Sequence, residues 1–352
     1  MALLVDIEKK CGDFTLKVKF DTGDEVFAIL GASGCGKSLT LKCIAGIEKP
    51  DKGVIKLGER VLFDSEKKIN VPVRERKVGY LFQDYALFPN MTVFENIMCG
   101  AKNKELANEY VDKFYLKGKE NLYPAQLSGG QKQRVALARM LATHPDVIML
   151  DEPFSALDNY LKTRLEREIM NVLDSYDKPV LFVSHDRNEV YRLTDRIAVM
   201  EEGSIVDVQS KQELFGNPKT LAATLLTGCK NITRIEKSSY GIYNALDWGV
   251  KLSIENPLME MDEKTDYLYA AFRAHYFEVV PEMEDYNVLE CEVLREIEDT
   301  FSTVVLFRNK GCATDGDYSV LTYELSKEKW EQIKKDRIFL KIPGDKMILL
   351  EK

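Results

Sequence analysis

The sequence predicts an α/β domain with a mostly parallel core sheet over residues 1–228, followed by a small β-barrel domain over residues 229–352. Three observations predict it. A short apolar run enters a glycine-rich loop that opens a helix. Two further apolar runs of strand length flank an amphipathic helical repeat. Beyond Gly228 the pattern changes to alternating apolar and polar residues between turn signals. At 352 residues the chain exceeds one typical core, which agrees with two domains.

Glu25-Val-Phe-Ala-Ile-Leu30 is the first buried-type strand, and Ser38 to Ala45 continues with helical spacing. Between them stand Gly31, Ala32, Ser33, Gly34, Cys35, Gly36, Lys37 and Ser38. The glycines let backbone amides approach phosphate oxygens in conformations that a side chain would block. The helix that follows points its N-terminus at the same anion. Lys37 is then the candidate for the β- and γ-phosphates, and Ser38 for Mg²⁺. The strand before and the helix after are the context that such a loop requires.

Gly79-Tyr-Leu-Phe-Gln83-Asp84 closes another apolar strand, and a neutral amide at Gln83 can both coordinate Mg²⁺ and hold a water. Asp146-Val-Ile-Met-Leu150 runs into Asp151 and Glu152, so the Asp151 carboxylate emerges at the C-terminal edge of the sheet, where ligands of α/β proteins bind. It suits Mg²⁺ through water, and Glu152 suits a general base. Leu161, Leu165, Ile169 and Leu173 recur every four residues, as an amphipathic crossover helix requires. Pro179-Val-Leu-Phe-Val183 is the next buried strand, and His185 follows it.

Leu127-Ser128-Gly129-Gly130-Gln131 precedes a helix over residues 132–139. Ser128 would cap that helix, and the glycines leave amides open to a second anion. Residues 31–38 already cradle one set of phosphates. The economical arrangement is a head-to-tail homodimer in which this turn covers the partner's ATP.

The C-terminal half contains none of these phosphate-binding patterns. Tyr267–Phe272, Thr303–Phe307 and Arg337–Ile342 read as short strands, and Ser326–Ile333 as a helix. Lys230, Asn231, Ser302 and Thr303 are available there as donors to an oxyanion. No apolar run approaches the roughly 18 residues needed to span a bilayer. The N-terminus has neither the basic stretch nor the apolar core of a signal peptide. A net charge of −8 without a dense basic tract argues against nucleic acid as partner. Seven cysteines without a CxxC pair read as reduced thiols of a cytosolic protein.

In order and spacing these motifs resemble the ATP-binding subunits of ABC transporters. Gly31–Ser38 is similar to the Walker A loop, Gln83 to the Q-loop, and Leu127–Gln131 to the signature. Val147–Glu152 is similar to Walker B, Ser155-Ala-Leu-Asp158 to the D-loop, and His185 to the switch histidine. The resemblance implies an ABC-type nucleotide-binding domain with a helical subdomain at about residues 84–140, then an OB/TOBE/MOP-like β-barrel for regulation or dimerisation. It implies catalysis by Glu152, His185, Gln83 and Lys37, and Mg²⁺ on Ser38, Gln83 and Asp151. ATP would lie on residues 31–38, with Ser128, Gly129, Gly130, Gln131 and Asp158 completing its site.

Tyr85–Asn96 resembles importer subunits for sulfate, iron, polyamines and sugars. Arg60–Tyr80 is similar to the molybdate importer ATPase, and Thr227–Ile232 with Phe272–His275 to the entry of its C-terminal domain. The expected function is therefore to power an oxyanion importer, for molybdate or tungstate. Sulfate, ferric iron and polyamine importers are the alternatives, and a soluble non-transport ABC ATPase stands beyond them. Two integral-membrane permease subunits, an extracytoplasmic solute-binding protein met indirectly, a regulatory oxyanion and a place at the cytoplasmic face of the cell membrane follow from the same resemblance. Three departures stand out. Leu39 replaces a usual hydroxyl, Phe14 is the nearest aromatic for the adenine, and the segment from Gln83 to Leu127 is short.

Overall fold

The computed structural model describes residues 2–155, 159–173, 176–254, 268–312, 316, 318–335 and 337–350. The chain divides into two units, Met1–Lys211 and Gln212–Lys352.

The first unit begins with β1 (Leu3–Cys11), β2 (Phe14–Thr22), β3 (Val26–Gly31), α1 (Lys37–Ala45), β4 (Lys52–Leu57), β5 (Arg60–Asp64), β6 (Ile69–Asn70) and β7 (Val78–Leu81). Three helices follow, α2 (Val93–Met98), α3 (Lys104–Lys113) and α4 (Gly129–Leu141). The unit closes with β8 (Val147–Asp151), α5 (Asn159–Leu173), β9 (Val180–Ser184), α6 (Arg187–Leu193), β10 (Arg196–Glu201) and β11 (Ser204–Ser210). Its strands form one sheet in the order β6-β5-β4-β1-β2-β11-β10-β3-β9-β8-β7.

Only the stretch β10-β3-β9-β8-β7 is parallel throughout. The remainder is built from antiparallel pairs, joined by one short parallel contact between β11 and β2. The sheet is therefore mixed, which corrects the expectation of a mostly parallel one. The reason lies in the side chains. β8 and β9 are buried at every position, as strands covered on both faces must be. In β1, Leu3, Val5 and Ile7 are buried, whereas Leu4 is exposed and Asp6 and Glu8 are half-buried; that alternation marks an antiparallel ladder with one solvated face.

Leu165, Ile169 and Leu173 of α5 are buried, as the four-residue repeat predicts; the side chain of Leu161 lies outside the described residues. The fully buried Arg76 fixes the C-terminal end of α1, where its Nη1 donates to the carbonyls of Cys43 (3.0 Å) and Ile44 (2.7 Å). A cation at a helix C-terminus satisfies carbonyls that the helix itself leaves open. Among the described residues no helix is long and apolar enough to cross a membrane.

Past β11 the chain forms α7 (Lys211–Gly216), α8 (Leu221–Leu226), β12 (Asn231–Ser239), β13 (Ile242–Ala245), β14 (Val250–Ser253), β15 (Leu268–Phe272) and β16 (Glu278–Val280). It continues with β17 (Val288–Glu298), β18 (Ser302–Asn309), β19 (Leu321–Ser326), α9 (Lys327–Ile333), β20 (Phe339–Lys341) and β21 (Ile348–Leu350). Two five-stranded sheets result, β14-β13-β12-β15-β21 and β16-β20-β17-β18-β19. Tyr243 and Phe272 of the first share one core with Phe307 and Tyr323 of the second, and with Trp248 and Phe277 from the connections between strands. The sequence pattern predicts a barrel of about five strands. The strand read over Arg337–Ile342 is β20, whereas the extra strands include β16 and β21, each three residues long and too short for alternation to register. Two of the expected oxyanion donors are already engaged. The Asn231 amide exchanges bonds with the Thr322 backbone at 2.6 and 2.9 Å, and Lys230 pairs with Glu324 at 3.2 Å.

Candidate functional site

Four adjacent parallel strands deliver chemistry at their C-terminal ends. β3 opens into the loop at Gly31, β9 ends at Ser184 before His185, β8 ends at Asp151 before Glu152, and β7 leads to Gln83. Register holds them level, with Leu30 beside Ser184 and Asp151 beside Val183. This is the crevice where α/β sheets bind ligands.

Backbone requirements explain the loop. Gly36 caps α1 at φ +111°, and a Cβ there would meet Leu16 Cδ1 at 2.8 Å and Phe14 Cζ at 3.1 Å. A Cβ on Gly31 would stand 2.5 Å from the Met200 carbonyl oxygen. Neither position accepts a side chain. Ala32, Ser33 and Gly34 form an exposed crest, while Cys35 is buried and its thiol pKa is pushed up by burial. Phe14, the nearest aromatic for the adenine, lies against Gly36 and packs onto the core.

Lys37 is buried, and its Nζ donates to the carbonyls of Gly31 and Ala32, both at 2.9 Å. The same nitrogen stands 3.8 Å from Glu152 Oε1, which in turn lies 3.1 Å from His185 Nδ1. Ser38 Oγ donates to Asp151 Oδ1 at 2.8 Å, and Tyr80 Oη donates to Asp151 Oδ2 at 2.7 Å. Burial first, and the charge of Asp151 second, raise the pKa of Tyr80, so its hydroxyl remains a donor. Gln83 Nε2 donates to Ser155 Oγ at 3.2 Å, and Ser155 Oγ donates to the Glu152 carbonyl at 3.1 Å. Gln83 thus reaches the Glu152 backbone through Ser155 and does not touch the Ser38–Asp151 pair. Glu152 itself adopts φ +45°, held by its amide on the Val183 carbonyl at 2.9 Å. A cleft of about 140 Å³ adjoins these groups, lined in part by Glu152, Ser155, Lys162, His185 and Asp186.

The signature turn stands apart. Ser128 caps α4 by accepting from the Gln131 amide at 3.4 Å, and Gln131 Oε1 accepts from the Ser128 amide at 3.0 Å. Gly129 and Gly130 fill the first turn of that helix. Among the described residues no hydrogen bond joins this turn to residues 31–38. Asp158 lies outside the described residues.

The donor set fits a nucleotide with a hard cation. A loop that excludes Cβ atoms, a buried ammonium and a helix N-terminus suit phosphate. The Ser38 hydroxyl and Asp151 carboxylate, already 2.8 Å apart, are oxygen ligands of the kind Mg²⁺ takes. Among the described residues no group of three or more His, Cys, Asp or Glu side chains is arranged for a metal. Ser38 and Asp151 would supply part of a Mg²⁺ shell, and phosphate oxygens would supply more. Sequence reasoning missed Tyr80, and it read Ser155 as the start of a D-loop-like run without its bonds to Gln83 and the Glu152 carbonyl. Tyr80 sits in a strand three residues before Gln83, but nothing in the sequence places that strand beside β8.

The family described as ABC transporter matches residues 15–155. The sulfate/thiosulfate import ATP-binding protein of Vibrio vulnificus is 38% identical over 247 residues, which cover 66% of this chain and 70% of that one. The Fe(3+) ions import ATP-binding protein of Haemophilus influenzae is 41% identical over 212 residues, covering 58% of this chain and 60% of that one. The spermidine/putrescine import ATP-binding protein of Thermotoga maritima is 41% identical over 220 residues, covering 60% of this chain and 58% of that one. The matches thus span 58% to 70% of these relatives' own length.

Among solved structures, the ATP-binding cassette MJ0796, a dimer in a post-hydrolysis state bound to ADP and Pi, superposes with a TM-score of 0.51 at 27% identity. It covers 60% of this chain and 99% of that one. The ordered motifs, their convergence at four strand ends and relatives at this identity lead to one conclusion: the chain belongs to the ABC transporter family, among its ATP-binding subunits.

Proposed function

We propose that this chain hydrolyses ATP to drive an ABC importer from the cytoplasmic face of the cell membrane. One observation carries the reading. Glu152 Oε1 stands 3.1 Å from His185 Nδ1 and 3.8 Å from Lys37 Nζ, beside a phosphate-type loop. Glu152 takes the proton of the attacking water, and His185 orients that carboxylate. Lys37 turns from the loop carbonyls to the β- and γ-phosphates. Ser38, Gln83 and, through water, Asp151 would hold Mg²⁺, which when bound would neutralise charge on the phosphate oxygens. Ser128, with Gly129, Gly130, Gln131 and Asp158, serves the ATP of a second copy in a head-to-tail homodimer. The dimeric cassette among the solved structures supports this, as does a signature turn with no bond to its own loop.

Closure of the dimer moves two permease subunits, which an extracytoplasmic binding protein loads. On the solute, the named relatives favour sulfate/thiosulfate, ferric iron or spermidine/putrescine over the molybdate or tungstate expected from residues 60–80. A regulatory oxyanion in residues 229–352 remains part of the proposal, with Ser302 and Thr303 as donors. Glu152→Gln tests the core of it. Turnover should fall about 10²- to 10⁴-fold while ATP binding persists, because a general base is lost and its shape is kept. An ATP-dependent dimer should then accumulate on size exclusion, and near-normal hydrolysis would overturn the assignment.

A further inference from the structure

We propose that Lys162 is a positioning residue for hydrolysis, clamping Asp186 and Glu189 so that the turn between them holds His185 against Glu152. The inference rests on the reading above, in which Glu152 and His185 act on ATP.

The turn that carries His185 leaves β9 at Ser184 and enters α6 at Arg187. Ser184 Oγ donates to Glu189 Oε2 at 2.6 Å and accepts from the Asp186 amide at 2.9 Å. Asp186 Oδ1 caps α6, accepting from the amides of Asn188 at 2.8 Å and Glu189 at 3.4 Å. Asp186 Oδ2 and Glu189 Oε1 remain, and Lys162 Nζ from α5 stands 2.6 Å from each. One ammonium therefore closes both free ends of the turn.

The environment makes that ammonium hard to replace. The Glu189 side chain is 5% exposed and that of Lys162 only 18%. Burial opposes the charge on Lys162, yet its bonds to Asp186 and Glu189 outweigh burial and hold its pKa above the ordinary lysine value. Three carboxylates, those of Glu152, Asp186 and Glu189, line the same cleft as Lys162. Removing the ammonium leaves a buried carboxylate uncompensated, and the turn must shift to solvate it. His185 would shift with it. Its side chain is 56% exposed, so the backbone of the turn, and not packing, fixes where the ring points.

A second ion pair joins the same two helices without lining the cleft. Arg192 meets Glu166 through two bonds of 2.7 and 3.0 Å. That pair supplies a control for helix packing alone.

The test is steady-state hydrolysis by full-length variants, with binding of a fluorescent ATP analogue and the melting midpoint measured in parallel. Lys162→Met should lower kcat roughly 10- to 100-fold, the scale of a small misplacement of catalytic groups. Analogue binding should stay within about twofold, and Lys162→Arg should recover most of kcat. In a His185→Ala background Lys162→Met should add less than about twofold, because the two act as a unit. Arg192→Met should lower the melting midpoint and leave kcat at 25 °C nearly unchanged. The inference is overturned if Lys162→Met keeps wild-type kcat while Glu152→Gln is inactive. It is overturned equally if the Lys162 loss recurs in full without His185, or if Arg192→Met matches it. Full activity in Glu152→Gln instead removes the underlying reading, and this inference with it.

Discussion

Asp151 has both carboxylate oxygens engaged, one by Ser38 and one by Tyr80. The tyrosine is the less expected of the two, and it is the one that orients a prospective Mg²⁺ ligand from behind. Groups of this kind typically change metal affinity or activity by about 10- to 100-fold when removed. Tyr80→Phe should therefore raise the Mg²⁺ concentration for half-maximal hydrolysis about tenfold or more, with the fold intact. A Mg²⁺ titration at fixed ATP reads the shift, and an unchanged midpoint would show that Ser38 alone orients Asp151. The contrast with Glu152 is informative. Its left-handed backbone turns its carboxylate away from the Ser38–Asp151 pair and towards His185 and Lys37. Two neighbouring carboxylates thereby face different tasks.

Helix α4 is where an element, and not a single residue, sets the chemistry. The loop that follows Gln83 is bound to the helical segment. The buried Asn96 amide donates to the carbonyls of Phe88, Met91 and Thr92, and Arg139 of α4 donates to the Tyr85 carbonyl at 3.0 Å. Gln83 and Ser128 thus border one connected piece. Ser128→Arg should abolish hydrolysis while leaving nucleotide binding to residues 31–38 intact, because bulk at that cap blocks closure onto a second copy. Normal hydrolysis by that variant would end the head-to-tail reading.

The same elements show what the sequence makes legible. The strand, loop and helix over residues 25–45, the apolar lead into Asp151 and the cap at Ser128 are all local patterns, and the chain folds as they read. The helix read over Ser326–Ile333 is α9, Lys327–Ile333, with Ser326 as its cap. Strand order is not local. It alone brings Tyr80 beside Asp151, mixes the sheet and sets Lys162 against the turn after β9. In the second unit, β16 and β21 have three residues each and carry too few side chains to announce a face.

At the scale of the whole chain, each unit has a core of its own, one around Leu3, Phe27 and Val183, the other around Trp248, Phe307 and Tyr323. Every residue placed in the ATP site belongs to the first unit. A chain ending at Gly228 should therefore hydrolyse ATP at a rate within about threefold of the full chain, since domains with separate cores fold and act separately. A folded, soluble but inactive truncation would assign the second unit a direct part in hydrolysis. The sheet order has a temporal corollary. β3, which ends in the glycine loop, has β9 and β10 as its neighbours, and both follow it by about 150 residues or more. At ~5–20 residues per second, a ribosome needs roughly 8 to 30 s to supply them. During that interval an apolar strand waits without lateral partners while its loop can hold no phosphate. Nucleotide binding in the nascent chain must switch on near the end of the first unit's synthesis, long after the residues that perform it have emerged.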